Sequence, residues 1–226
     1  MPTPIGNLED VTIRALRILK EVQCILSEDT RSTSILLKHY DIHTPLQSFH
    51  AHNEHHILQS IINRLKQGEV MALVTDAGTP GISDPGFLLA RECLRENIKF
   101  ECLPGPTAFV PALIKSALPA DSFVFEGFLP QKKGRLTKLK SLEHERRTMI
   151  FYESPHRLLK LLHELQSIMG PDRNASVSRE LTKVYEETIN GTLLELISLF
   201  SEKPVKGEIV VCVEGKRKNN TNHIAH

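Results

Sequence analysis

The chain alternates short apolar runs with amphipathic segments, which is the pattern of strands separated by helices. In the first half, the predicted strands are 22–26, 46–49, 70–74 and 100–103, and the apolar run 70–74 predicts a strand that is buried on both faces. Between them, apolar residues recur every three or four positions and predict helices over 8–19, 34–40, 57–65 and 87–94. Successive strand and helix units of this kind predict a mostly parallel sheet with helices on both faces.

The second half has the same alternation with more strands. Its predicted strands are 123–128, 149–152, 175–179, 184–189 and 208–213, and Asn190-Gly191 predicts a turn. Its helices are expected from 136, up to Met169 before Gly170, and from Thr192 to Phe200. We therefore predict two α/β domains, 1–119 and 120–215, followed by a polar tail over 216–226 that we expect to be disordered.

Two loops of small residues follow predicted strands, Asp-Ala-Gly-Thr-Pro-Gly at 76–81 and Pro-Gly-Pro-Thr-Ala at 104–108. Ligands of open α/β sheets lie beyond the carboxyl ends of strands, and small residues let a ligand approach the backbone. Asp84 and Pro85 are predicted to start the next helix as its N-cap and first residue. The alternative to a binding site is a plain connection between strand and helix. Neither loop carries the glycine pattern of a dinucleotide or P-loop site.

Charged side chains follow two other strands. Glu28, Asp29 and Arg31 come directly after the strand at 22–26, where they are either site residues or the start of the next helix. Four histidines lie between positions 50 and 56, but their order is not that of a zinc motif and no other metal-binding residue completes a set. We interpret them as a loop that lines a substrate site, and we predict no metal.

Charge is nearly balanced along the chain, with 28 basic and 27 acidic residues. Overall charge therefore neither indicates nor excludes a nucleic-acid partner. One stretch departs from this balance, because Lys132 to Arg147 contains seven basic residues and two acidic ones. Lys132, Lys133 and Arg135 are either contacts to RNA phosphates or part of a solvated helix face.

The four cysteines show no paired spacing and lie in largely apolar runs. Buried free thiols are typical of a reducing compartment, so we expect a cytoplasmic protein. The sequence also has no apolar run of 18 residues and no charged, then apolar, leader. We therefore predict no membrane span and no secretory signal.

Nine stretches in order from Pro2 to Gly215 match one superfamily: PTPIGNLED, SEDTR, HAHNE, VTDAGTPGISDPG, LPGPTA, FEGFLP, FYESPHRL, RELTKVYEE and KGEIVVCVEG. They resemble the tetrapyrrole methylases, and most closely the branch that methylates ribose 2'-hydroxyls of ribosomal RNA with S-adenosylmethionine. The resemblance implies two α/β domains, each with a mixed sheet flanked by helices, and the cofactor in the cleft between them. It also implies a homodimer and a target cytidine in the decoding region of 16S rRNA. The implied substrate is either free 16S rRNA or the small ribosomal subunit.

The same resemblance assigns site residues position by position. It implies that the cofactor contacts are Asp76, Ala77, Gly78, Ile82, Thr107, Ala108, Tyr152, Gly207 and Glu208. For the proton of the ribose hydroxyl, the candidate acceptors are Glu28, Asp29, Glu180 and Glu186. Arg31 and Lys183 are candidates to anchor phosphates or to tune the pKa of an acceptor. The family places an apolar strand before the first loop, whereas only Met1 precedes Pro2 here, so either the sequence starts late or the first sheet lacks a strand.

Two alternatives remain open from the sequence. The first is a methyltransferase that acts on a small tetrapyrrole, as other branches do. The basic stretch and the low aromatic content, 5% with no Trp, count against it because few rings are available to line a macrocycle pocket. The second is an RNA-binding module that keeps the fold without catalysis, which would bind no cofactor.

Overall fold

A computed structural model describes residues 1–202 and 205–217, which form two compact units. The first unit is Met1–Ala108 and the second begins at Phe109. This division falls before the predicted boundary at residue 119. The reason is that helix α5 (Phe109–Lys115) packs on strands of the second unit, so the segment between 109 and 119 belongs with that unit by its contacts.

The first unit is a three-stranded sheet with helices between its strands. Its elements are a 3-10 turn Leu8–Asp10, α1 (Ile13–Glu21), β1 (Cys24–Ser27), α2 (Thr30–His39), β2 (Leu46–Ser48), α3 (Glu54–Lys66), β3 (Met71–Val74) and α4 (Phe87–Arg95). The strand order is β2-β1-β3 and both pairings are parallel, with Ser27 opposite Ser48 on one side and Val74 on the other. All three carboxyl ends therefore lie at one edge of the sheet.

The alternation of side chains along β1 builds a core on both faces of this sheet. Ile25 is fully buried in a cluster with Leu19 and Leu37, whereas the neighbouring Leu26 packs with Phe49 and Ile61 on the opposite face. β1 is buried along its whole length because it is the central strand. In β3, only Ala72 and Val74 are buried, so the prediction that this strand is buried on both faces was wrong for its other two residues.

Three local predictions in the first unit were also wrong. The helix expected over 8–19 is two elements, because Asn7 caps the 3-10 turn while the Thr12 hydroxyl accepts a hydrogen bond from the Ala15 N–H and starts α1. Asp84 and Pro85 lie in the turn before α4, which starts after Gly86 at a φ of 134°. Residues 100–103 form no strand.

The second unit is a five-stranded mixed sheet. Its elements after α5 are β4 (Phe123–Phe128), α6 (Arg135–Ser141), β5 (Thr148–Glu153), a 3-10 turn Pro155–Arg157, α7 (Leu158–Met169), β6 (Asn174–Arg179), β7 (Glu187–Thr192), α8 (Leu193–Glu202) and β8 (Ile209–Val213). The strand order is β4-β5-β8-β6-β7, and only β4 and β5 run parallel. Asn190 and Gly191 pair within β7, so the turn predicted there was wrong.

The core of the second unit lies between the sheet and helices α7 and α8. β8 is the middle strand and all five of its residues are buried. Leu158, Leu161 and Leu165 recur along the buried face of α7, as helical periodicity requires. The helix ends at Gly170, whose φ of 91° is a conformation that side chains disfavour.

The described residues bear on two predictions about environment. Cys24, Cys93 and Cys212 are buried free thiols, whereas Cys102 is exposed. Within 1–202 and 205–217, no helix is long and apolar enough to cross a membrane. Of the predicted tail, Lys216 and Arg217 are described and lie in neither helix nor strand, while 218–226 lie outside the described residues.

Candidate functional site

Three loops of the first unit pack together beside the carboxyl end of β3. They are the segments 2–7, 75–82 and 104–108. The backbones of Thr3 and Gly78 exchange two hydrogen bonds of 2.9 Å, and the Thr3 hydroxyl donates to the Thr75 carbonyl at 2.9 Å. The Thr79 hydroxyl donates to the Pro106 carbonyl at 3.1 Å. The loop that follows β3 is therefore held by both of the other segments.

Gly78 lies where these segments meet and has a backbone conformation that favours glycine. Its φ is 82°, in the left-handed region, and a Cβ at this position would lie 3.6 Å from Ile5 Cγ2 and 4.0 Å from Thr107 Cα. Any other residue would be strained here by its backbone conformation. At the base of the same loop, the buried Thr75 hydroxyl has no hydrogen-bond partner among the described residues. An unsatisfied buried hydroxyl is the kind of group that a polar ligand can satisfy.

The predicted cofactor residues of the first unit are gathered around this loop. Ala77, Ile82, Thr107 and Ala108 are partly buried, and Asp76 is exposed. The Ile82 N–H donates to the Thr79 carbonyl at 3.2 Å, which turns the chain back after Gly78. The two small-residue loops that the sequence singled out therefore lie side by side.

The acids that follow β1 meet Asp76 at the same edge. The Asp29 N–H donates to the Asp76 carboxylate at 3.2 Å. The Asp29 side chain accepts from the Arg31 backbone at 2.9 Å and pairs with the Arg31 guanidinium, with a closest distance of 2.5 Å. Asp29 is thus the N-cap of α2, which is the alternative that the sequence left open for it.

The neighbours give these carboxylates different affinities for a proton. Hydrogen bonds from the Arg31 side chain and backbone lower the pKa of Asp29 to about 2. Partial burial, and then the charge of Asp76, raise the pKa of Glu28 above its usual value. Burial and the charge of Asp29 also raise the pKa of Asp76. Glu28 is therefore a much better proton acceptor than Asp29.

His50 lies at the end of β2, next to this cluster, and sequence reasoning did not single it out within its loop. Its ring Nδ1 is buried with no hydrogen-bond partner in the described part of the chain, and its charge acts to lower the pKa of Glu28. The signal was the position of His50 two residues after β2, a strand that is parallel to β1. No group of three or more His, Cys, Asp or Glu side chains gathers as a metal site among the described residues.

In the second unit, Lys183 is held between two carboxylates. Its amino group donates to Glu180 and to Glu208 at 3.0 Å each, and the Glu180 carboxylate also accepts from the Glu208 N–H at 3.0 Å. Burial opposes the charge of Lys183, but Glu208 and Glu180 outweigh it and raise its pKa. Gly207 has a φ of 94°, and the Glu180 carboxylate occupies the space that a Cβ would need.

The two remaining candidate acceptors are already paired. The backbone N–H of Glu208, followed by Lys183, lowers the pKa of Glu180. An ion pair with Lys115, and a hydrogen bond from the Thr182 N–H, lower the pKa of Glu186. Both carboxylates are stabilised in the ionised form, which makes them weaker proton acceptors than Glu28.

The residues predicted to contact RNA divide into two groups. Lys132 and Lys133 are exposed in the loop after β4. Arg135 is buried, with only 2% of its side chain exposed, and it pairs with Glu153 at 3.0 Å and Glu164 at 2.7 Å. The prediction that Arg135 contacts phosphates is therefore contradicted, because its charge is already neutralised inside the unit.

Comparison with known proteins assigns the family. A family model described as tetrapyrrole (corrin/porphyrin) methylases matches residues 2–197. The chain belongs to this family. Crystal structures of other methyltransferases share the fold, among them CobJ, with a TM-score of 0.68 and 18% identity over 95% of this chain and 93% of that one. A uroporphyrin-III C-methyltransferase from Thermus thermophilus, complexed with S-adenyl homocysteine, has a TM-score of 0.64 and 18% identity, covering 92% of this chain and 93% of that one.

More similar sequences place the chain within this tetrapyrrole methylase family. A protein of Thermotoga maritima is 49% identical over 214 residues, which are 95% of this chain and 96% of the relative. One of Escherichia coli O157:H7 is 46% identical over 220 residues, 96% of this chain and 77% of the relative. Both are named ribosomal RNA small subunit methyltransferase I, and the chain belongs with that group. The predicted family and fold class are thus confirmed.

Tyr152 and Glu208 complete the predicted cofactor residues of this tetrapyrrole methylase. The Tyr152 ring is partly buried and packs edge to face with Phe125 at 5.0 Å and Phe128 at 5.5 Å between centroids. Glu208 is mostly exposed apart from its pairing with Lys183. Of the two carboxylates that Lys183 contacts, Glu180 is three residues away in the sequence, whereas Glu208 comes from a distant segment that the sequence did not connect with Lys183.

Proposed function

We propose that this protein uses S-adenosylmethionine to methylate the ribose 2'-hydroxyl of a cytidine in the decoding region of 16S rRNA. The observation that carries the proposal is an identity of 45% to 50%, over 94% or more of the chain, with relatives named ribosomal RNA small subunit methyltransferase I. The choice of a ribose oxygen as the methyl acceptor, and of a cytidine as the target, rests on the resemblance of the nine sequence motifs to the branch that methylates ribose 2'-hydroxyls of ribosomal RNA.

The cofactor residues we propose are those assigned by the motifs. They are Asp76, Ala77, Gly78, Ile82, Thr107 and Ala108 in the first unit and Tyr152, Gly207 and Glu208 in the second. S-adenosylmethionine supplies a methyl group carried on a positively charged sulfur. The packing of the Gly78 loop against Thr107 and the unsatisfied Thr75 hydroxyl support the first group.

Glu28 is the residue that we propose takes up the proton released by the ribose hydroxyl. A hydroxyl is a weak nucleophile unless its proton has an acceptor, and the best acceptor has a pKa near the working pH. Partial burial moves the pKa of Glu28 in that direction, while Asp29 is moved away from it by Arg31. Arg31 thus keeps Asp29 ionised, and Lys183 is a fixed cation rather than a base.

We further propose an RNA-binding, cytoplasmic homodimer. The exposed Lys132 and Lys133 support RNA binding. Phe87 and Leu94 support a dimer, since they are 64% and 68% exposed and lie seven residues apart, which places them on one face of α4. Sedimentation at several protein concentrations tests the dimer, and a single monomer species at all of them would reject it.

The proposed activity is tested by transfer of labelled methyl from S-adenosylmethionine to purified small ribosomal subunits and to free 16S rRNA. We expect label in one cytidine ribose, located by nuclease digestion and mass spectrometry. Uroporphyrin III in place of RNA tests the small-molecule alternative. Calorimetry with S-adenosylmethionine tests the non-catalytic alternative, because a scaffold without catalysis should show no heat of binding.

A further inference from the structure

An exposed aromatic ring lies at the carboxyl edge of the second sheet. β4 and β5 run parallel, and their last matched pair is Phe128 with Tyr152. Phe128 is 55% exposed, and its ring packs edge to face on Tyr152 at 5.5 Å between centroids. A ring that is supported by a neighbouring ring, yet open to solvent, offers a face to a planar ligand.

Two lysines and a histidine lie in the loops that leave this edge. Lys132 and Lys133 follow β4, are exposed, and form no ion pair within residues 1–202 and 205–217. His156 is exposed in the turn that follows β5. The carboxyl ends of parallel strands share an edge, so both loops start next to Phe128. We call Phe128, Lys132, Lys133 and His156 the β4–β5 edge.

A buried ion pair fastens the two loops together. The Arg135 guanidinium donates to the Glu153 carboxylate at 3.0 Å and to the Pro130 carbonyl at 3.5 Å. The same carboxylate accepts from Arg157 and from the Ser154 N–H, at 2.8 Å each. The loop that carries Lys132 is therefore tied to the turn that carries His156.

We propose that the β4–β5 edge binds a single-stranded segment of RNA, with Phe128 stacked on an unpaired base and Lys132 and Lys133 on the flanking phosphates. This inference rests on the proposed function, because it names the surface through which that function meets its RNA. Proteins that bind single strands combine ring stacking with lysine contacts along the backbone, and both are available here within one pair of loops.

The charge at this edge favours RNA over a protein partner. The two lysines are unpaired within the described residues, whereas most lysines and arginines around them already have carboxylate partners. Lys138 pairs with Glu126, and Arg157 with Glu153. An edge with free positive charge and one open ring matches a polyanion that carries planar bases.

The experiment measures binding of a fluorescein-labelled single-stranded RNA of mixed sequence by anisotropy over a range of salt concentrations. We expect Phe128→Leu to weaken binding about 5-fold to 150-fold, as the loss of one stacked base does, with the salt slope unchanged. Lys132→Ala/Lys133→Ala should reduce the log-log salt slope by about 1.4, which is about 0.7 for each phosphate contact. Phe128→Trp should restore binding because it keeps a ring.

Matched controls are available in the first unit. Phe100→Leu removes a ring that is 49% exposed, and Lys20→Ala/Lys99→Ala removes two exposed lysines that form no ion pair among the described residues. Neither should change affinity or slope. Wild-type affinity in Phe128→Leu, or equal losses in the controls, would overturn the inference. A change in sedimentation of Phe128→Leu with unchanged RNA affinity would also overturn it, in favour of a protein interface.

The two proposals fail in different ways. If the wild-type protein methylates small subunits while Phe128→Leu and the lysine variant bind RNA normally, the β4–β5 edge is wrong and the proposed function stands. If the wild-type protein transfers no methyl to rRNA but the variants lose RNA binding as expected, the edge stands and the proposed function fails. All variants are checked by circular dichroism before binding is measured.

Discussion

The Asp76 carboxylate accepts a hydrogen bond from the Asp29 N–H at 3.2 Å, and this contact joins the carboxyl ends of β1 and β3. It places Asp76 beside two further acids, so three carboxylates share one edge of the sheet. Like charges that lie close together cannot all be ionised without cost. Arg31 holds Asp29 ionised, whereas partial burial, and then the charge of a neighbouring carboxylate, raises the pKa of both Glu28 and Asp76.

Glu28→Gln is the variant that tests the proton acceptor. It keeps the shape of the side chain and removes its basicity, so we expect single-turnover methyl transfer to slow by about a hundredfold or more. In the wild type, the rate should fall as the pH falls through a pKa above that of an ordinary glutamate, because the protonated carboxyl cannot accept a proton. RNA and cofactor are kept saturating, so that the chemical step is measured.

Asp29→Asn is the control for this experiment, since it removes a neighbouring carboxylate of low basicity. We expect a nearly unchanged melting temperature, because Asn caps a helix about as well as Asp does, and a chemical step whose rate is largely kept. Near-normal rates in Glu28→Gln would remove Glu28 as the acceptor. The search would then move to Glu180 and Glu186, whose ion pairs with Lys183 and Lys115 would have to open first.

Glu28→Gln should also change the free energy of unfolding, and it should not lower it at neutral pH. The pKa of Glu28 is raised in the folded protein, so ionisation of Glu28 disfavours the native state at any pH above its unfolded value. Glu28→Gln should therefore be at least as stable as the wild type at pH 7. This advantage should disappear below about pH 4, where the carboxyl is protonated in both states. Urea titrations at both pH values measure it, and a less stable variant at pH 7 would contradict the raised pKa.

Gly78 tests the cofactor loop. Gly78→Ala should lower stability by about 1 to 2 kcal/mol, because a side chain is disfavoured at its φ of 82°. It should also weaken S-adenosylmethionine binding, measured by calorimetry below the melting transition. Gly68→Ala is the matched control, with a φ of 91° and no atom within 4 Å of the new Cβ. The proposed site is wrong if both variants bind the cofactor as tightly as the wild type, and Gly78→Leu makes the same test with a larger side chain.

The sequence predicted what depends on local pattern. The periodicity of apolar residues located β4 at its exact bounds, and the small-residue loops around Gly78 and Thr107 stood out because glycine and proline restrict the backbone. The strand expected at 100–103 does not form, although three of its four residues are apolar. An apolar run becomes a strand only when a neighbour supplies hydrogen bonds, and the sequence does not show that neighbour.

Charge was harder to assign from the sequence, because a charged residue looks the same whether it is exposed or paired. Lys132 and Arg135 belong to one basic run, yet the first is exposed and the second is buried on two carboxylates. The helical periodicity of α6 gives only a weak indication that Arg135 is buried. Arg135 lies four residues before the buried Leu139 and therefore shares its face of the helix. The partner Glu153 lies on strand β5, 18 residues further along the chain.

Arg135→Met tests whether this buried arginine holds the second unit together. Removing one partner of a buried ion pair leaves a carboxylate without full compensation, so we expect the variant to lose about 3 to 5 kcal/mol of unfolding free energy. Arg147→Met removes an arginine whose side chain is half exposed and pairs with Glu145, and it should change stability much less. Urea titrations of both variants and the wild type measure the difference. Equal losses of unfolding free energy in the two variants would mean that the buried Arg135 pair stabilises the protein no more than an exposed pair does. The Arg135 pair would then not be what joins the loops after β4 and β5.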